Sequence, residues 1–270
     1  MSIPSFSAII AAAGNSERFN GNASVSVKKE YLKIGEHTIL YRATRPFLEV
    51  PSLKSIIVIC PPGQKEECAI ALEEIYEHCP VPVVLCNGGK TRQESVFLAL
   101  QMLQRLEQQV SYVAIHDGAR PFLESDLIIR GLATACVYGG STPATAITDA
   151  VKRIDNNGTI TSHENRTGLV CVQTPQIFDF QKILLAHEQA RNNGKIYVDD
   201  TEIYADFNQE VGVFEGNPDN RKITFLDDIP DANAQIAAYA KAKEEGLKQS
   251  KIDQEFRRYL NQRKEPESNA

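Results

Sequence analysis

Ser7-Ala8-Ile9-Ile10-Ala11-Ala12-Ala13-Gly14-Asn15-Ser16-Glu17-Arg18 carries an apolar run without polar alternation straight into small residues and an arginine. A strand buried on both faces requires such a run. Three more follow the same rule: Ser55-Ile56-Ile57-Val58-Ile59-Cys60, Val81-Pro82-Val83-Val84-Leu85-Cys86 and Tyr112-Val113-Ala114-Ile115-His116. Helical patterns at residues 39–48, 64–78 and 91–106 separate them, giving the order β-α-β-α-β-α-β. That order predicts an α/β fold, a doubly wound and mostly parallel sheet joined by right-handed crossovers. Ligands of such sheets sit beyond the carboxyl ends of the strands, which directs attention to the loops after Ala12, Cys60, Cys86 and His116.

After about residue 140 the pattern changes. Val151-Lys152-Arg153-Ile154-Asp155, Asn156-Asn157-Gly158 and Thr159-Ile160-Thr161 read as a hairpin closed by an Asn-Gly turn, either a dimerisation arm or a surface hairpin with no partner. Val211-Gly212-Val213-Phe214 and Lys222-Ile223-Thr224-Phe225 read as late strands returning to the sheet. From Asp231 to about Leu260 the pattern is helical and fraying is expected after Arg263; the mixed charges of this tail do not suit a nucleic-acid arm. The expected organisation is one domain over residues 1–235, with a β-arm at about 140–172, and a helical C-terminal extension over 236–270.

Composition narrows the field. With 270 residues, 42% hydrophobic and 24% charged, the chain matches an ordinary soluble domain and not a disordered, collagenous or disulfide-scaffold protein. The net charge of −6 speaks against nucleic-acid or membrane binding, so a polyanionic ligand would need a local concentration of cations. The six cysteines form no CxxC pair and no zinc-type cluster; reduced thiols and a cytoplasmic location are expected. The apolar stretch at residues 6–13 is short for a signal segment, and no window reaches the roughly 18 apolar residues of a membrane span.

Four loops hold the chemistry. Ala12, Ala13 and Gly14 let backbone N–H groups approach a phosphate, and Arg18 adds a cation that keeps its proton. A plain tight turn competes with that reading, and the loop has neither GxGxxG nor GK[ST]. Lys28-Lys29-Glu30-Tyr31-Leu32 places adjacent lysines beyond a small, polar segment, residues 20–27, that reads as a mobile lid carrying one of them. Gly88-Gly89-Lys90-Thr91-Arg92-Gln93-Glu94-Ser95 leaves a buried strand and opens a helix, with Arg92 and Ser95 one turn apart and suited to a base edge or an anion. His116-Asp117-Gly118-Ala119-Arg120-Pro121 sets an acid and an arginine three residues apart beyond a strand, fitting metal or sugar-hydroxyl binding plus a phosphate clamp; a structural salt bridge is the alternative. Asn165-Arg166, Thr174-Pro175-Gln176 and Arg221-Lys222 supply further hydroxyls and cations. Asp199-Asp200 would point to opposite faces of a strand and so would not chelate as a pair.

In this order the motifs resemble the 2-C-methyl-D-erythritol 4-phosphate cytidylyltransferases of the non-mevalonate isoprenoid pathway. The resemblance runs from Ala8 to about Ile229 and rests on Ala12-Ala13-Gly14 with Arg18, Lys29-Glu30-Tyr31-Leu32, Gly88-Gly89 with Arg92 and Ser95, His116-Asp117 with Ala119-Arg120-Pro121, Thr174-Pro175-Gln176, and Glu215-Gly216 with Lys222. It implies a nucleotidyltransferase domain like those of the nucleotide-diphospho-sugar transferases, acting on CTP and a polyol phosphate with Mg²⁺, and a cytoplasmic homodimer whose arm completes the partner's site. Arg18 and Lys29 would be catalytic. Ala12, Ala13, Gly14, Gly89, Arg92 and Ser95 would bind the nucleotide. Asp117, Arg120, Arg166, Thr174 and Lys222 would bind the acceptor, with Asp117 the candidate metal ligand. The family lysine usually follows proline, whereas Lys28 stands there, so either lysine is a candidate for the phosphates. The rivals are a cytidylyltransferase for another polyol phosphate such as ribitol 5-phosphate, a nicotinamide-dependent oxidoreductase, disfavoured by the missing GxGxxG, and a non-catalytic nucleotide-binding protein.

Overall fold

The computed structural model describes residues 3–20, 28–106 and 109–244. Past Asn20 the expected lid lies outside the described residues, as does the expected tail past Glu244. In chain order the elements begin with β1 (Phe6–Ala11), α1 (Glu17–Asn20), β2 (Lys33–Ile34), β3 (His37–Thr38), α2 (Ile39–Thr44), β4 (Leu53–Cys60), α3 (Lys65–Ala71), α4 (Glu73–His78) and β5 (Val83–Asn87). Next come α5 (Arg92–Arg105), β6 (Tyr112–Asp117), α6 (Ser125–Tyr138), β7 (Gly139–Ala146), β8 (Lys152–Ile154), β9 (Ile160–His163) and β10 (Val170–Val172). The series closes with β11 (Gln176–Asp179), α7 (Phe180–Asn193), α8 (Asp200–Asp206), β12 (Glu210–Glu215) and α9 (Asp228–Glu244).

The main sheet runs β5-β4-β1-β6-β11-β7, with β10 and β12 also paired to β7. Strands β5, β4, β1 and β6 are mutually parallel, whereas β11 is antiparallel to β6 and to β7. The chain steps outward from β1 through β4 to β5 and then returns to the other side of β1 as β6. The strand order therefore reverses between β1 and β6, where a doubly wound sheet opens a crevice at its carboxyl edge.

Burial on both faces explains the missing alternation. Ala8, Ile10, Ile56, Val58 and Ala114 enter one cluster with Leu127 and Leu132 of α6, while their neighbours Ile9, Ile57, Ile59, Val113 and Ile115 enter a second with Val96, Leu100 and Ile183 of α5 and α7. Successive side chains leave opposite faces of a strand, so each strand feeds two helical layers at once.

Some expectations are corrected. The helix expected at residues 39–48 stops at Thr44 and becomes a 3₁₀ turn, Arg45–Glu49, because Pro46 lacks the amide that α-helical bonding would use. The helix expected at 64–78 is two, α3 and α4, separated at Leu72. The hairpin forms as β8 and β9, but only Gly158 turns left-handed, at φ 80°, so the closure is a wider turn in which the Asp155 carboxylate accepts from Asn157 and Thr159 N–H. Gly139–Ala146 and Val170–Val172 belong to the main sheet, so the projecting part, expected at about 140–172, begins after the first and ends before the second. Lys222-Ile223-Thr224-Phe225 is not a strand: Ile223 N–H donates to Ala119 O, and the Asp228 carboxylate takes the N–H groups of Thr224 and Phe225, which satisfies this backbone without a ladder. All six cysteines are free, and among the described residues no helix is long and apolar enough to cross a membrane.

Candidate active site

At the crevice between β1 and β6 lies a cavity of about 350 Å³ lined by the loops after β1, β5 and β6, together with Lys29, Lys222 and Thr224. The loop after β4 does not line it; that strand contributes only Ile59 to the floor.

The loop after β1 bends sharply at Ser16, a non-glycine residue with φ 55°. Such a conformation costs about 1–3 kcal/mol and persists only where the surroundings enforce it. Here the Ser16 carbonyl accepts from Phe19 and Asn20 N–H as the short α1 begins. Among the described residues the N–H groups of Ala13, Gly14 and Asn15 have no acceptor, so the loop presents backbone donors to the cavity as a phosphate cradle does. Gly14 is open, with nothing within 4 Å of where a Cβ would stand, whereas the Ala12 side chain is buried in the core and leaves the cavity to Ala11 and Ala13. Arg18 is exposed on the rim with no ion-pair partner among the described residues.

The adjacent lysines part company. Lys28 ion-pairs with Glu30 at 3.0 Å and donates to the Gly14 carbonyl, so it braces the first loop. Lys29 lines the cavity, is 8% exposed, and donates to Ile223 O at 2.6 Å. Burial pulls the Lys29 ammonium below the ordinary lysine range; Glu30 opposes this, and Lys222, Lys28 and Arg18 add to it.

The third loop is held by its own side chains. Thr91 caps α5 by accepting from Glu94 N–H, and Glu94 returns to Lys90 N–H at 2.7 Å. Ser95 accepts from Gly89 N–H and donates to Thr91 O, so its hydroxyl is committed to the loop although it lines the cavity. A Cβ on Gly88 would stand 2.4 Å from Ala13 Cβ, which makes glycine the residue that lets the first and third loops meet.

Asp117 is the hub. Its carboxylate contacts Lys222 Nζ at 2.9 Å, Arg120 Nε at 3.5 Å and Arg92 Nε at 3.7 Å. Burial pushes this carboxyl up, but Lys222, Arg92 and Arg120 outweigh it and hold the group well below the usual carboxylate range. The turn behind it has a determined hydrogen-bond direction. Arg120 O can only accept, so His116 donates to it through Nε2–H at 3.2 Å. Burial pushes the imidazole pKa down to about 4, so at neutral pH Nδ1 is an acceptor. Thr174 donates its hydroxyl to that nitrogen and accepts from Asp117 N–H.

Of the expected site residues, Ala13, Gly14, Arg18, Lys29, Gly89, Arg92, Ser95, Asp117 and Lys222 line one cavity. Arg120 and Thr174 stand behind Asp117 as supports. Arg166 is not brought there: it lies on the exposed arm and donates to the carbonyls of Ile147 and Thr148. The strand reading of Asp199 and Asp200 is corrected as well. Asp199 caps α8, and Asp200 enters the helix fully buried, 2.7 Å from Arg92 Nη1. Asn220 stands in the sequence beside Arg221 and Lys222 with no role of its own legible there; its side-chain amide donates to Thr174 O and its backbone carbonyl accepts from Arg120, partners that no local pattern reveals. Sequence reasoning missed Asp228, whose signal was legible: an acid at the first position of the last helix. Among the described residues no three metal-binding side chains cluster.

Residues 6–238 match the family model described as 2-C-methyl-D-erythritol 4-phosphate cytidylyltransferase. The "Bifunctional enzyme IspD/IspF" of Brucella anthropi is 35% identical over 235 residues, covering 87% of this chain and 56% of that protein. The chain thus spans about half the length of such bifunctional relatives. The "2-C-methyl-D-erythritol 4-phosphate cytidylyltransferase" of Caldanaerobacter subterraneus is 33% identical over 224 residues, 83% of this chain and 95% of that protein. Among solved structures, the 4-diphosphocytidyl-2C-methyl-D-erythritol synthase of Anaerococcus prevotii superposes with a TM-score of 0.73 at 27% identity, covering 87% of this chain and 96% of the other.

Proposed function

Because this chain belongs to the 2-C-methyl-D-erythritol 4-phosphate cytidylyltransferase family of the non-mevalonate isoprenoid pathway, we propose that it joins CTP and 2-C-methyl-D-erythritol 4-phosphate. The products are 4-diphosphocytidyl-2-C-methyl-D-erythritol and pyrophosphate. One observation carries the reading: backbone donors with no acceptor among the described residues and the cations Arg18, Lys29, Arg92 and Lys222 face a single cavity at the sheet's switch point.

In the transfer, a phosphate oxygen of the acceptor attacks the α-phosphorus of CTP. The new P–O bond forms as the bond to the β-phosphate bridging oxygen breaks, and that electron pair leaves with pyrophosphate. The attacking oxygen is already ionised, so the protein needs no covalent nucleophile, only alignment and compensation of charge. Lys29 and Arg18, from opposite ends of one connection, would neutralise charge on the phosphates during attack. Gly89 and Arg92 would hold the nucleotide, while Asp117 and Lys222 meet the acceptor, with Arg120 and Thr174 fixing Asp117. Asp117 is already paired with Lys222, Arg120 and Arg92, so Mg²⁺ would be held mainly by the phosphates and water, with Asp117 at most a single carboxylate ligand, and would supply charge neutralisation to the triphosphate.

The exposed arm supports a homodimer. Ile154, Ile160 and Leu169 on it, with Val170 and Val172 of the adjoining sheet strand β10, are all solvent-facing, an apolar surface that a second copy would cover while Arg166 reaches the neighbouring phosphate pocket. Six free thiols suit a cytoplasmic location. The deciding experiment follows pyrophosphate release from CTP and Mg²⁺ with 2-C-methyl-D-erythritol 4-phosphate or ribitol 5-phosphate as acceptor. Release with the first is expected. A preference for the second, or CTP binding without turnover on either, overturns the assignment. Sedimentation as a monomer would remove the dimer and the role given to Arg166.

A further inference from the structure

Behind the cavity, a buried polar chain runs from Arg92 through two residues that do not line it. Arg92 Nη1 lies 2.7 Å from Asp200 Oδ2, and Asp200 Oδ1 lies 3.2 Å from His187 Nε2. Asp200 is wholly buried and His187 is 1% exposed. The imidazole is held parallel to the Phe97 ring, at 6.4 Å between centroids and 2° between planes, and Phe97 sits on α5, the helix that Arg92 begins. A carboxylate removed from water in this way adds little net stability, because desolvation offsets the attraction, and an apolar residue of similar volume would serve the core as well. What the carboxylate does supply is a fixed place for the guanidinium.

The competition for Asp117 shows why that place matters. Lys222, Arg120 and Arg92 all reach the Asp117 carboxylate, and Lys222 comes closest. Among the described residues Asp117 is the other carboxylate ion-paired to Arg92, so without Asp200 the guanidinium would close on it at the expense of Lys222. We propose that Asp200, oriented by His187, is a positioning residue that holds Arg92 on the nucleotide side of the cavity and leaves Asp117 to Lys222. The inference rests on the cytidylyltransferase reading of the site. It assigns a role to Asp200 and His187, neither of which lines the cavity.

The test compares Asp200→Asn, His187→Leu and His187→Gln with the parent protein, by calorimetric CTP binding in the absence of acceptor, by steady-state kinetics in both substrates, and by thermal melting. The expected result for Asp200→Asn is a loss of about 10- to 100-fold in CTP affinity and in kcat/KM for CTP, the low end of what removing one partner of a close buried charge pair costs, with the acceptor KM within about threefold. His187→Leu should lose about 5- to 20-fold, and His187→Gln, which keeps a donor near the Nε2 position, should recover most of it while melting no higher than the leucine variant. Two outcomes overturn the positioning role: CTP binding within twofold of the parent in Asp200→Asn, or equal losses in His187→Leu and His187→Gln. If Asp200→Asn does not fold, the His187 pair decides alone. A parent protein that fails to bind CTP overturns the functional reading instead, and parental binding with unchanged variants overturns only the positioning role.

Discussion

Lys29→Met separates catalysis from stability, because the two effects should differ widely in size. The side chain is 8% exposed and, among the described residues, gives a single hydrogen bond, 2.6 Å to Ile223 O. Methionine keeps the length and apolar stem. The change strands one carbonyl, which costs about 1–3 kcal/mol, but it also relieves the burial of an ammonium that already sits among Lys222, Lys28 and Arg18, a penalty of similar or larger size. The net stability change should be small, within about 4 °C in Tm for a domain of this size. Turnover should behave otherwise: removing one preorganised cationic donor from a phosphoryl-transfer site costs about 10²–10³ in kcat, or about 2.7–4 kcal/mol of transition-state stabilisation. Lys28→Met is the internal control. Lys28 is bound to Glu30 and Gly14 O and does not line the cavity, so its loss should cost at most about tenfold. Pyrophosphate release at saturating CTP gives kcat, and melting of the same samples gives Tm. If Lys29→Met keeps kcat within about fivefold of the parent while Lys28→Met loses the larger factor, the assignment of the phosphate contact to Lys29 is wrong.

The depressed ammonium has a pH signature in the free enzyme: kcat/KM for CTP should fall on the alkaline side before the ordinary lysine value of about 10.4 is reached, and Lys29→Arg should move that limb upward, a result checked by a pH profile of kcat/KM. Asp117 is held below the carboxylate range, so its stabilising contribution is present above its unfolded-state value of about 3.9 and is lost as pH falls through the lower folded value. Melting from pH 7 downward should therefore show a shallower acid limb in Asp117→Asn than in the parent, from a lower starting Tm. Gly88→Ala forces the first and third loops apart from a 2.4 Å approach and should cost about 1–3 kcal/mol by melting, with weakened CTP binding; an unchanged Tm would mean the loops do not meet there. Thr174→Val removes the hydroxyl that serves both Asp117 N–H and His116 Nδ1, and a loss of about 1–3 kcal/mol with reduced turnover is expected from melting and kinetics on one preparation.

The parallel half of the sheet was legible because burial on two faces leaves a direct mark. Ile9 and Ile10 must both be apolar when one enters each helical layer, and no amphipathic strand reads that way. The site loops were legible for a related reason, since glycine, small residues and cations at the end of such a strand are tied to local geometry. Lys222 stands out in the sequence as a cation, but the strand expected around it does not form. The segment is shaped by Ala119 O and by the Asp228 carboxylate, partners far along the chain or beyond the window in which period-2 patterns are read. Likewise Asp199-Asp200 read as strand neighbours, whereas the cap and first turn of α8 set them apart.

The chain's own sequence thus determined the layer order, the crevice and the list of charged groups available to it, because these depend on local periodicity and on chemistry carried within each loop. Which of those groups face one another depended on the tertiary structure. Lys28 and Lys29 are adjacent and chemically alike, yet one braces Gly14 and the other lines the cavity. Arg92, Arg120 and Lys222 come from three separate segments, and only their convergence on Asp117, with Asp200 as a second partner for Arg92, gives a chain of net charge −6 the local cations that the proposed polyanionic substrates need. Electrostatic potential falls steeply with distance, so placement over a few ångströms outweighs the sum over the whole chain.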